Sequence, residues 1–166
     1  MPDILIRPET PADAAAISAL TTAAFANAEL SDGTEAQIIE RLRAADALLL
    51  SLVAIQDGQI IGHAAFSEVT IGGQDLGWVG LGPVSVAPTR QAGGIGSALI
   101  REGISHLKTS RKGCVVLGDP GYYARFGFTV TPGLTYPGVP PEYFMALRWD
   151  GAPPQGEVAY HPAFTG

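Results

Sequence analysis

Three glycines fall within four positions, at Gly93, Gly94 and Gly96, between an apolar strand pattern and an apolar helix pattern. Val84-Ser85-Val86-Ala87-Pro88-Thr89-Arg90-Gln91 precedes them, and Ser97-Ala98-Leu99-Ile100 follows. A strand that enters a helix through such a turn narrows the folds open to the chain. The first amides of a helix lack intrahelical partners, the dipole is positive there, and missing Cβ atoms let an anion come close. The stretch reads as a phosphate cradle, with a plain strand-to-helix turn as the alternative. A P-loop is rejected, because no lysine follows until Lys108. A dinucleotide fingerprint is weak: Leu99 stands at the third glycine position, and Cys114 where an acid is needed. Residues 78–117 read as strand, helix, strand, which predicts a parallel pair with a right-handed crossover.

The preceding chain changes period once. Residues 4–6 are a short strand, closed by Arg7-Pro8. Thr10 and Pro11 suit a helix start, and Ile17, Leu20 and Ala24 share the face of that helix. Residues 34–45 form a second helix with Ile38, Leu42 and Ala45 in register, opened by the capping-box pattern Thr34-Glu35-Ala36-Gln37. Strands follow at 48–55, 60–71 and 75–86, turned by Asp57-Gly58 and Gly72-Gly73, an antiparallel meander. Gly77, Gly80, Gly82 and Pro83 interrupt the third, which predicts a bulge or splay.

Beyond the glycine turn, Gly96, Ile100, Gly103, Ile104 and Leu107 mark the apolar side of the helix. Residues 114–117 are a buried strand. Asp119-Pro120 opens a short helix with Asp119 as its cap. Phe126-Gly127-Phe128 leads into another strand. Past Pro132 the chain is proline-rich, with an apolar segment at 143–149 and a closing strand at Val158-Ala159-Tyr160. The fold class is α+β: a mostly antiparallel twisted sheet with one parallel pair, flanked by helices. With 166 residues and no repeat or linker, residues 1–166 read as a single domain.

Charge and cysteine remove several function classes. Lys and Arg number 10 against 16 Asp and Glu, a net charge of -6, which argues against nucleic acid as the main partner. One cysteine, Cys114, permits no intramolecular disulfide and no Cys/His zinc pattern; its apolar setting reads as a buried strand thiol. The longest apolar stretch, 47–55, is far short of the roughly 20 residues of a membrane helix. No secretory signal is visible, and a cytoplasmic location is expected.

The spacing Gln91-x-x-Gly94-x-Gly96 after Val84 and Val86 resembles the acyl-CoA motif of the GNAT superfamily of N-acetyltransferases. Tyr123-Ala124-Arg125-Phe126-Gly127-Phe128 resembles the second family motif, Tyr-x-x-x-Gly-Phe, in the right order. Trp78-Val79-Gly80-Leu81-Gly82-Pro83, Leu117-Gly118-Asp119-Pro120 and Val158-Ala159-Tyr160 are similar to the YhbS-type branch. Gly118-Asp119-Pro120 departs from relatives that carry an Asn there.

The resemblance implies a GNAT-like fold with its sheet splayed at the acyl-CoA site, and direct acetyl transfer from acetyl-CoA to an amine in a ternary complex, without a metal. It implies that amides of Ala92, Gly93, Gly94, Ile95, Gly96 and Ser97, with Gln91, hold the pyrophosphate. Backbone groups of the strand Val84-Ser85-Val86, at Val84 and Val86, would pair with pantetheine as a false strand. Tyr123 matches the position that protonates the CoA sulfur, with an aromatic packed behind the helix as the alternative.

Glu68 is the candidate base, with a solvated strand end as its alternative. His63 reads as a structural histidine, Asp75 as turn-exposed, and His106 and His161 as solvent-facing. Glu29 and Asp32 are charges that could attract an amine. Homodimerisation is common among relatives, and the C-terminal strands are the candidate surface for it here. Two rival classes stand beside transfer: a non-catalytic acyl-CoA-binding or regulatory module, and a nucleotide-binding domain.

Overall fold

A computed structural model describes residues 3–26, 33–91 and 93–165. Glu29, Asp32 and Ala92 lie outside the described residues. The strands are β1 (Leu5–Pro8), β2 (Leu48–Gln56), β3 (Gln59–Ile71), β4 (Trp78–Val86), β5 (Gly113–Leu117), β6 (Leu134–Thr135), β7 (Phe144–Arg148) and β8 (Gly156–Tyr160). The helices are α1 (Ala14–Phe25), α2 (Glu35–Ala44), α3 (Ile95–Leu107) and the short α4 (Pro120–Tyr123). The sheet runs β1-β2-β3-β4-β5-β7, with β8 on the far end of β3 and β6 beside β8. All pairs in the main path are antiparallel except β4 with β5, the parallel pair expected across α3.

Alternation along the strands sends side chains to opposite faces. Phe66, Val79, Leu81 and Val116 pack with Ile95, Leu99 and Ile100 of α3. Val53 packs on the other face with Ile17 of α1 and Ile39 of α2. Leu99 is fully buried although the glycine-led face did not include it. Cys114 is buried in β5, and burial pushes its thiol up, as an inert strand thiol requires.

Three local expectations are corrected. The first strand runs through Pro8, which an edge strand tolerates because its outer amides need no partner. The fourth begins at Trp78 rather than residue 75, because Ile71 and Gln74 close a tight turn and Asp75 accepts a hydrogen bond from the Gly77 amide at 3.0 Å. No strand extends from Phe128: only Thr129 bridges to Ala146. Pro132 and Gly133, at φ 95°, turn the chain away.

β3 and β4 lose register between Ala64 and Phe66, where Leu81 to Val84 supply the extra residue. The bulge expected at Gly82-Pro83 is therefore present. β5 pairs with β4 only from Trp78 to Leu81, so β4 continues through residues 82–86 with one edge unpaired by any described strand.

Candidate active site

The unpaired edge of β4 is the centre of the site. Ala87 donates its amide to Ile61 of β3 at 2.9 Å. Backbone direction alternates along a strand, so Val86 and Val84 turn their groups to the open edge. The Gln91 side chain marks that side, donating to the Val86 carbonyl at 3.1 Å. Ser85 points the other way and is buried, its hydroxyl donating to Thr21 at 3.3 Å.

The glycine turn lies at the end of this edge. Gly94 is the N-cap of α3 with φ 84°, a left-handed conformation that costs an L side chain about 1–2 kcal/mol. A cavity of about 190 Å³ opens here, lined by Gln91, Gly94, Ile95, Gly96 and Ser97 together with Arg90, Tyr122 and Arg125. Gly93 adjoins it, where an added Cβ would stand 3.3 Å from the Arg90 carbonyl. Ser97 Oγ is 3.2 Å from the Tyr122 hydroxyl, and the Arg125 guanidinium stacks 4.5 Å over the Tyr122 ring. Two arginines and no carboxylate face this cavity among the described residues. A chain of net charge -6 thus has a locally cationic cavity. The sequence signal for Arg125 was available: it follows Tyr122 by three positions, one helical turn, inside the second motif.

A second cavity, about 320 Å³, opens where β4 and β5 diverge. It is lined by Leu81, Gly82, Pro83 and Val84 of β4, Leu117 of β5, and Tyr123. Successive residues of α4 thus serve different cavities, Tyr122 the first and Tyr123 the second. Asp119 caps this short helix, accepting the Gly121 amide at 2.9 Å, as its place before Pro120 predicts. Tyr123 lies over Gly118: a Cβ there would stand 2.5 Å from the ring. Glycine at position 118 therefore makes room for the ring. Tyr123 also meets Tyr122 and Phe128 edge to face, with centroids 5.0 and 6.0 Å away. Burial, then the neighbouring Tyr122, push its hydroxyl up to about 12, so it keeps its proton at neutral pH.

The far wall of this cavity comes from elements distant in sequence. It consists of Phe25, Glu35 and Ile38 from the helices, and Tyr136, Tyr160 and Phe164 from the C-terminal segment. β8 brings this segment in by pairing antiparallel with the end of β3, Tyr160 opposite Val69. Glu68 is not part of the lining. It is half-exposed, and its carboxylate lies 3.5 Å from Arg111, beyond the C-terminal end of α3. Val84, Val86, Gln91, Gly94, Gly96, Ser97 and Tyr123 are thus assembled around one edge, and Glu68 is apart from them.

Known proteins share this fold. Residues 5–131 match the acetyltransferase (GNAT) domain model. The chain belongs to the GNAT family of acetyltransferases. It is 42% identical to the Escherichia coli N-acetyltransferase YhbS over 150 residues, 89% of this chain and 81% of that protein. A GNAT acetyltransferase from Brucella melitensis, solved in complex with acetyl-CoA, superposes with a TM-score of 0.88 at 52% identity, over 98% of each chain. The Escherichia coli YhbS structure in complex with CoA gives 0.89 at 35% identity, over 100% of this chain and 94% of that one. Among the described residues no helix is long and apolar enough to cross a membrane, and no cluster of three His, Cys, Asp or Glu stands ready for a metal.

Proposed function

We propose that this protein transfers an acetyl group from acetyl-CoA to a primary amine, with both substrates bound along the free edge of β4. The observation that carries the reading is that edge itself, running from an arginine-flanked glycine turn to a cavity containing a protonated tyrosine. The family's solved members from Brucella melitensis and Escherichia coli bind acetyl-CoA and CoA. The pyrophosphate lies on the amides of Gly93 to Ser97, with Arg90 and Arg125 beside it. Pantetheine pairs with Val84 and Val86. The thioester reaches the divergence of β4 and β5.

The amine attacks as its neutral form, after its ammonium has released one proton to solvent, and the nitrogen releases a second to solvent as the amide forms. Its lone pair forms the C–N bond, the C–S bond breaks, and CoA leaves as a thiolate that ends as the thiol. Tyr123 hydrogen-bonds the departing sulfur. A thiolate of ordinary basicity has a conjugate acid near ~8.5. Full proton transfer from a tyrosine at about 12 is therefore uphill. Tyr123 stabilises the developing charge, and solvent completes the protonation. Glu68 takes no part in this scheme.

Calorimetry tests the cofactor half: acetyl-CoA binds at micromolar level, about -8 kcal/mol, and no detectable heat with no competition overturns it. Tyr123→Phe tests the chemistry, lowering kcat by at least tenfold while acetyl-CoA affinity changes less than twofold. Binding without thiol release across amines, peptides and acyl carriers would make the protein an acyl-CoA-binding module instead.

A further inference from the structure

Arg125 stands beside the glycine turn without a carboxylate partner. Other guanidiniums of the chain are engaged. Arg7 lies 2.8 Å from Asp13, Arg43 2.9 Å from Glu9 and Arg111 3.5 Å from Glu68. Arg41 bonds Gln37 and the Ala163 carbonyl, and Arg90, the other arginine of this cavity, donates to Gln56. Among the described residues the Arg125 guanidinium meets only the Tyr122 ring, 4.5 Å away. Arg101 has a similar setting, 4.9 Å over Phe126, but it does not line the cavity. Carboxylates are not scarce in a chain with 16 Asp and Glu against 10 Lys and Arg. Arg125 is exposed, so a ligand can reach it. Its mount is fixed on the turn. Gly96 leaves room for the Tyr122 hydroxyl, since a Cβ there would stand 3.3 Å from it, and that hydroxyl lies 3.2 Å from Ser97 Oγ. The guanidinium is thus held one ring away from the first turn of α3.

The two sides of this cavity suit different phosphates. The first intrahelical bond of α3 runs from the Ala98 amide to the Gly94 carbonyl at 3.0 Å, so the amides of Ile95, Gly96 and Ser97 are left for a ligand. They suit a pyrophosphate, whose two groups each carry one negative charge. A guanidinium set apart from them suits a phosphomonoester, which carries nearly two charges and offers paired oxygens to the planar N–H fork. CoA holds such a group on the ribose that carries the pyrophosphate, so the two lie one sugar apart. We propose that Arg125 binds the 3′-phosphate of acetyl-CoA and so selects the cofactor over its 3′-dephospho form. The inference rests on reading the glycine turn as the pyrophosphate cradle.

The test compares acetyl-CoA with its 3′-dephospho form by calorimetry, on the wild-type protein, Arg125→Gln and Arg101→Gln. The wild type is expected to bind acetyl-CoA at least tenfold more tightly, the scale of one charge-assisted contact. Arg125→Gln is expected to lose that tenfold toward acetyl-CoA and less than twofold toward the dephospho form, with Tm unchanged, so that the preference collapses. Arg101→Gln is expected to keep it. An arginine that serves the pyrophosphate, or only the general field, would weaken both ligands alike when removed. That result, or a wild type that binds both forms equally, overturns the inference and leaves acetyl transfer standing. A preference lost in Arg101→Gln but kept in Arg125→Gln overturns the assignment to Arg125. If neither form binds the wild type, the cofactor reading itself fails, and the inference fails with it.

Discussion

At the β1–β2–β3 edge, Glu9 accepts hydrogen bonds from Arg43 at 2.9 Å and from Ser51, and Ser51 Oγ lies 2.7 Å from His63 Nε2. At the free edge of β4, the backbone groups of Val84 and Val86 turn away from β3 with no described strand pairing them, the Val86 carbonyl accepting from the Gln91 side chain, and Arg125 lines a cavity with no carboxylate among its described lining. The first region closes its charges on one another. The second leaves its donors directed outward. Both contain polar groups beside a packed sheet, so polarity alone does not mark a site; the direction in which the donors point does. The first region also fixes a tautomer. The Ser51 hydroxyl gives its proton to Glu9, so it accepts from His63 Nε2–H. His63 Nδ1 is then an unprotonated nitrogen, buried and without a partner among the described residues.

Breaking the closed region gives the largest expected effect. Glu9→Ala strands Arg43, Ser51 and His63 together and costs about 3 kcal/mol of stability. Acetyl-CoA affinity is expected to remain within twofold, because the cluster's hydrogen bonds run among Glu9, Arg43, Ser51 and His63 and, among the described residues, to none of Gln91 and Gly93 to Ser97. Urea unfolding and calorimetry on the same variant check both halves. Affinity that falls in step with stability would show that the two regions are coupled.

Acid probes the same region next. Burial lowers His63 from 6.5 to about 4. Between those values the unfolded chain binds a proton that the folded chain refuses, so stability falls as pH drops from 6.5 to 4. The loss is on the order of 2–3 kcal/mol. Glu9 adds to it: burial pushes its carboxyl up, but hydrogen bonds from Arg43 and Ser51 outweigh that and hold it low. Asp13, brought down to about 2 chiefly by its hydrogen bond from Arg7, extends the loss below the ordinary aspartate range. Tm measured against pH should flatten between 4 and 6.5 in His63→Asn. An unchanged slope would remove His63 from this role.

The two regions were unequally legible in the sequence. The glycine turn, the Asp119 cap, the bulge at Gly82-Pro83 and the parallel pair are set by residues near one another, where backbone chemistry decides the outcome. The Glu9–Ser51–His63 cluster joins positions from three strands or their ends, and no spacing rule connects them. His63 reads correctly as a packed histidine, while its hydrogen-bond partners depend on strand register. Glu68 shows the same limit: its strand is right, but its neighbour Arg111 comes from beyond α3. The aromatic wall of Tyr136, Tyr160 and Phe164 depends on how the proline-rich tail docks against β3. Turn residues fix that tail locally without announcing where it lands.

The open region is tested by removing its conformational freedom. Gly94→Ala places a side chain at φ 84°, where the added Cβ meets no atom within 4 Å. Its stability cost is about 1 kcal/mol, from the left-handed backbone. The larger consequence is at the anion: a shifted turn misdirects the amides, and acetyl-CoA affinity is expected to fall tenfold, about 1.4 kcal/mol. Gly94→Ala thus affects binding more than folding, the reverse of Glu9→Ala. Equal losses in both would mean that the turn is only structural.

The smallest effect separates side chain from backbone within the cradle. Ser97 offers both an amide in the first turn of α3 and a hydroxyl 3.2 Å from Tyr122. Ser97→Ala keeps the amide and removes the hydroxyl. If the cradle binds chiefly through oriented backbone, acetyl-CoA affinity falls no more than about threefold, within ~0.7 kcal/mol. Tyr122 keeps its place under Arg125, because ring stacking rather than the hydroxyl bond holds that pair. A tenfold loss would instead make Ser97 Oγ a direct ligand of the anion. The open region would then resemble the closed one, with side chains rather than backbone bearing the charge. Calorimetric titration of Ser97→Ala beside Gly94→Ala therefore decides whether the contrast between the two regions lies in the backbone or in the side chains.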